Sequence, residues 1–146
     1  MQNNIPIIVW LDSNSTDSAS SFLSKLRNYQ YVQIFTEVHA CLSYINSHLE
    51  QTIILITSGS FALQIVPLIY DSANVLITFV FCASIKTYTN WAMDYCDKLM
   101  MFDHEDDLLQ RLWLQIEEYL REQAKQCLKI ADECKERAQQ LKQPCG

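Results

Sequence analysis

Glycine is nearly missing from this chain, with only Gly59 and Gly146 in 146 residues. Folds built from many tight turns use glycine where φ is positive, so the shortage disfavours an all-β fold and favours strands joined by helices. Proline is confined to Pro6, Pro67 and Pro144, and neither residue occurs from Asp103 to Gln143. Cations are also few: before Phe102 there are only Lys25, Arg27, Lys86 and Lys98, against seven acids. After Phe102 the counts are 7 and 10, so each part contributes −3 to the net charge of −6. Phosphate backbones and anionic bilayers call for clustered cations, so nucleic acid and membrane are excluded as expected partners. The most apolar stretch, Val75 to Ala83, falls well short of the ~20 residues needed to cross a bilayer. Met1 to Ile5 is polar and uncharged, unlike the start of a secretory signal, and a cytoplasmic location is expected. Cys41, Cys82, Cys96, Cys127, Cys134 and Cys145 form no CxxC pair and have no histidine at zinc spacing. They are expected to be reduced thiols rather than metal ligands or a disulfide framework.

Hydrophobic residues make up 49% of the chain and charged residues 19%, enough apolar material for one packed domain plus an appendage. Apolar runs of strand length alternate with amphipathic segments. Ile7–Leu11 (IIVWL), Thr52–Thr57 (TIILIT) and Asn74–Cys82 are the most continuous and predict strands covered on both faces. Tyr31–Phe35 alternates more and predicts an edge strand, while Lys98–Phe102 predicts a short last strand. Between them, helices are predicted after a cap at Asp17 or Ser18, after Thr36, from Ser60 to Tyr70, and over Lys86–Cys96. Pro67 should kink or shorten the third. Strands separated by helices must pair in parallel through right-handed crossovers. The expected fold is a three-layer, doubly wound α/β domain with a five-stranded parallel sheet in the order 2-1-3-4-5 and a long C-terminal helix.

That helix is predicted over 103–143, capped by Asp103 and opening with Glu105, Asp106 and Asp107 at the positive end of its dipole. At ~1.5 Å per residue it spans roughly 60 Å, against ~17–20 Å for a strand. Leu108, Leu109, Leu112, Trp113 and Ile116 should cover the sheet. From Leu120 onward the apolar positions are Leu120, Ala124, Cys127, Ala131, Cys134, Ala138 and Leu141, a 4-3-4-3-4-3 spacing that makes a heptad seam of mostly small residues. The expected division is a body over 1–120 and a helical extension over 121–143. The seam implies a homo-oligomer, most simply a dimer, or a helical protein partner.

Ligands of open parallel sheets bind beyond the carboxyl ends of the strands. Those ends offer Asp12, Ser13, Ser58, Gly59, Ser60 and Ser84, a candidate set for a nucleotide or other anion, with glycine allowing close backbone approach and a helix N-terminus behind it. The same ITSGS segment (Ile56–Ser60) also reads as a plain strand-to-helix turn with a serine cap.

The alternation, with VWLD (Val9–Asp12) closing the first strand, resembles a response-regulator receiver domain. The resemblance implies the layered α/β fold but not the phosphorylation chemistry. Asp12 is followed by Ser13 instead of a second acid, and Ser58 stands where the phosphorylated aspartate belongs. Ser84 matches the fourth-strand hydroxyl, whereas Phe102 and Asp103 replace the lysine. VWLD, ITSGS, IVPLI (Ile65–Ile69) and NWA (Asn90–Ala92) are together similar to the N-terminal domain of some invertebrate multidomain proteins. There such a domain precedes tetratricopeptide repeats or an arginine-type ADP-ribosyltransferase domain, which implies an accessory recognition or regulatory module. Toll/interleukin receptor-like domains share the layered pattern, yet no glutamate lies between Ser58 and Asn74 to match their catalytic residue.

No catalytic constellation is visible. His39, His48 and His104 are isolated, no serine lies in a GxSxG turn, and there is no Walker or GxGxxG loop. A non-enzymatic interaction or regulatory module without cofactor or metal is the expected role, with a small-ligand sensor as the alternative.

Overall fold

The computed structural model describes residues 5–13, 21–26 and 28–142. In chain order the elements are β1 (Ile7–Leu11), α1 (Ser21–Leu26), β2 (Val32–Phe35), α2 (Val38–Ser47), β3 (Ile53–Ser58) and α3 (Gly59–Ile69). They continue with β4 (Val75–Phe81), α4 (Ile85–Ala92), a 3-10 turn (Met93–Lys98), β5 (Leu99–Phe102) and α5 (Glu105–Lys142). All four strand pairings are parallel and the sheet order is β2-β1-β3-β4-β5, with helices on both sides, as expected. Two compact units divide the chain, Met1–Arg111 and Leu112–Gly146.

Strand hydrophobicity fixes the order within the first unit. β1 is buried along its whole length and β3 up to Ser58, whereas no residue of β2 is fully buried. Charge-free apolar strands can sit between neighbours, and the alternating one is left at the edge. Alternation then sorts β1 between two cores. Ile7, Val9 and Leu11 join Cys41 and Ile45 of α2 and Ala62, Ile65 and Ile69 of α3. Trp10 faces the other way, its ring tilted against that of Phe22 of α1 with centroids 4.9 Å apart. At the N-terminal edge, buried Asn74 donates from Nδ2 to the Ile45 carbonyl (2.9 Å) and the His48 carbonyl (3.2 Å), tying the end of α2 to the start of β4.

Local details depart from the expected boundaries. α2 begins two residues after Thr36, with Glu37 at the cap position in extended backbone and no side-chain cap bond; the Cys41 amide instead closes the first turn on the Glu37 carbonyl. Pro67 does not stop α3, which ends at Ile69. It lies in the final turn, where it forgoes one backbone hydrogen bond with only two helical residues left to follow it. The single helix expected over Lys86–Cys96 is α4 followed by the 3-10 turn, with Tyr95 at φ −127°. Tyr95 there packs edge-on to Tyr70 at 5.1 Å and against Trp91 at 5.1 Å. The cap expected at Asp17 or Ser18 lies outside the described residues. α5 opens with Glu105, Asp106 and Asp107 as expected, and Trp113 is 38% exposed.

Candidate functional site

Within the first unit, parallel register brings three strand ends together. Leu11 pairs with Thr57, placing Asp12 beside Ser58, and Ser58 pairs with Phe81. These ends flank the point where the chain order reverses between β1 and β3, the position at which doubly wound sheets open a crevice. A cavity of about 180 Å³ lies there, lined by Trp10, Asp12, Phe22, Ile56, Thr57, Ser58, Phe81 and Glu105. Trp10 and Phe22 are buried, Thr57 is fully buried, and Phe81 is 40% exposed. Lys25 of α1 donates to Asp106 (2.9 Å) and lies 3.3 Å from Glu105. Those two carboxylates raise the Lys25 pKa, first through the hydrogen bond to Asp106 and then through the one to Glu105, so it stays charged. The Cys82 thiol next to this edge is pushed up by burial and then by the negative charge of Asp103.

Of the six candidate residues at this edge, Asp12 and Ser58 line the cavity. Ser13 sits in the following turn with its Oγ 3.4 Å from Asp12 Oδ1. Ser60 is exposed on α3 with its Oγ 3.4 Å from that of Ser58, and Ser84 is exposed at the start of α4. Gly59 has a packing role: a Cβ there would stand 2.5 Å from Cζ and 2.7 Å from the hydroxyl of Tyr88. The backbone does make a close approach at Gly59, and what approaches is the ring of α4. Ile56 and Thr57 line the cavity from within the ITSGS candidate segment, whereas Trp10, Phe22, Phe81 and Glu105 line it but were not legible as site residues. Their signal is alternation, since Trp10 and Ile56 occupy the strand face opposite Leu11 and Leu55.

The seam lies in the second unit. α5 is helical through Lys142, and Leu120, Ala124, Cys127, Ala131, Cys134, Ala138 and Leu141 are all exposed. At ~100° per residue, Leu128 and Ile130 flank the stripe on either side, and they too are exposed, at 67% and 59%. The seam alternates strictly in size. Ala124, Ala131 and Ala138 occupy one heptad position, and Leu120, Cys127, Cys134 and Leu141 the other. The positions adjoining the seam after Leu120 are Arg121, Gln123, Leu128, Ile130, Lys135, Arg137 and Lys142, four cations and no acid. Glu118, Glu122, Asp132, Glu133 and Glu136 fall on the remaining surface.

Among the described residues no cluster of three or more His, Cys, Asp or Glu is arranged to hold a metal ion, and no helix is long and apolar enough to cross a membrane. No family model, curated protein or solved structure matches this chain.

Proposed function

We propose that this chain is a non-enzymatic interaction module of the regulatory type, and that the C-terminal half of α5 pairs with the same segment of a second copy. The observation that carries the reading is the exposed, size-alternating seam. In proteins most helix stability comes from packing an apolar face, and nothing within its own unit covers this one. A second copy supplies a matching face by symmetry.

The alternation favours an antiparallel pair. Running one helix backwards exchanges the 4-3 and 3-4 steps, so Leu120 meets Ala138 of the partner copy, Ala124 meets Cys134, and Cys127 meets Ala131. Shifting by one heptad gives the same kind of match, with Ala124 opposite Leu141. Every level then holds one alanine and one larger side chain, which packs evenly and lets the helices approach closely. A parallel pair would stack alanine on alanine and cysteine on cysteine. The similarity of VWLD, ITSGS, IVPLI and NWA to accessory domains fits a recognition role for the body.

The cationic borders favour a second reading, a partner helix whose seam is bordered by acids. Light scattering at about 50 μM separates the two. Self-pairing gives twice the 17.0 kDa chain mass, strengthened by salt because like charges border the seam, and a chain ending at Glu118 is monomeric. A full chain that stays monomeric at every salt concentration contradicts self-pairing.

A further inference from the structure

We propose that the cavity between the ends of β1 and β3 binds a small organic cation of the alkylammonium class. This inference uses the first unit alone and does not depend on the pairing of α5.

Size comes first. A volume of about 180 Å³ is close to the ~150 Å³ of an engineered apolar cavity in another protein that accepts benzene. It suits a ligand of roughly seven or eight non-hydrogen atoms and is too small for a nucleotide.

Chemistry comes second. Three aromatic side chains, Trp10, Phe22 and Phe81, and the apolar Ile56 form half of the lining. Aromatic faces attract cations through the ring quadrupole, most strongly where water is excluded, and Trp10 and Phe22 are buried. The charged lining residues are Asp12 and Glu105, both acids, and no lysine, arginine or histidine lines the cavity among the described residues. Asp103, Asp106 and Asp107 lie close by in sequence at the end of β5 and the first turn of α5. The described cations of this edge are Lys25, held between Glu105 and Asp106, and Lys86 in the first turn of α4. The positive end of the α5 dipole amounts to about half a charge and is opposed by three acids in its own first turn. An anion would therefore meet two carboxylates at the walls. A positively charged head finds rings beside it and carboxylates to face.

The test uses the full chain and a matched pair of probes, choline and its neutral carbon isostere 3,3-dimethylbutan-1-ol, with inorganic phosphate as the anion arm. Calorimetric titration and thermal shift are the readouts. Choline is expected to bind with a Kd of about 1 mM or tighter and to raise the melting temperature, since it binds only the native state. The isostere should bind at least ~10-fold more weakly. Asp12→Asn should weaken choline by ~10-fold and leave the isostere unchanged. Glu105→Gln provides an independent removal of charge if Asp12→Asn melts below the parent chain. Phe81→Leu, at a partly exposed position, should weaken choline several-fold. Equal affinity for choline and the isostere, no saturable choline binding up to about 50 mM, phosphate binding in preference to choline, or indifference of choline to both charge removals would each overturn the proposal.

Discussion

The body and the C-terminal half of α5 are opposite solutions to the same requirement. In the body, strands almost without charge are satisfied by burial: Ile8, Val9, Leu11 and Ile53 to Leu55 have no exposed surface. Between Arg121 and Lys142 the chain is rich in charge, every residue but Gln123 is exposed, and the helix is still continuous. One region owes its form to tertiary packing. The other has good helix formers, no helix breaker, and an apolar stripe with nothing from its own unit over it. The contrast teaches where stability and where association should be sought: in the buried strands of the body and on the exposed stripe of α5.

The largest effects should come from breaking the body. Leu55→Ala, at a fully buried central-strand position, is expected to cost about 2–5 kcal/mol in urea unfolding. Ala131→Glu on the exposed seam should leave the body's unfolding midpoint within about 0.5 kcal/mol of the parent. If both substitutions unfold the body equally, the two regions are not distinct.

Asn74→Ala removes the two hydrogen bonds that hold the last carbonyls of α2 and should cost about 1–3 kcal/mol. The accompanying signature is faster amide exchange at the end of α2 with the seam unaffected.

Alkali should destabilise the body. Burial pushes the Cys41 thiol up to about 12 from 9.0, and burial followed by the neighbouring Tyr31 pushes Tyr29 up to about 12 from 10.0. With both folded-state values raised, their contribution to stability is complete below pH 9. It declines as the unfolded chain loses protons that the folded chain keeps, and is gone above about pH 12. Melting temperature should fall across that window, and Cys41→Ala should flatten the part that begins near pH 9.

The smallest effect is the most specific to the seam. Raising salt from about 0.05 to 0.5 M should tighten self-pairing a few-fold by screening Arg121, Lys135, Arg137 and Lys142. Weakening on the same change would point to an acid-bordered partner helix. A spin label placed at position 121 through a non-thiol handle, which leaves exposed Cys96, Cys127 and Cys134 unmodified, sharpens the orientation: an antiparallel pair holds two labels more than ~20 Å apart, whereas a parallel pair brings them to about the interhelical distance of ~10 Å.

The sheet order was legible because continuous apolar runs and one alternating run can be ranked by burial, and because helical connections force parallel pairing. Boundaries at Val38 and Ala92 were less legible. Glu37 starts α2 through its backbone without a side-chain cap, and Tyr95 leaves helical geometry at a tertiary ring contact that no local pattern encodes. At the sheet edge, strand-end position pointed to Asp12 and Ser58. The ring walls were hidden, because Trp10 and Phe22 come together only when α1 crosses β1. Gly59 was visible as a place of close approach, but the approaching Tyr88 lies 29 positions further along the chain.

Sedimentation equilibrium of the intact chain beside its Ala131→Glu variant, over about 5–200 μM, tests the central claim most directly. Self-pairing through the seam predicts a concentration-dependent rise from 17.0 kDa toward twice that mass for the parent, and a monomer throughout for the variant, with both bodies melting alike. A parent that remains at 17.0 kDa, or a dimer that survives a glutamate at Ala131, would contradict it.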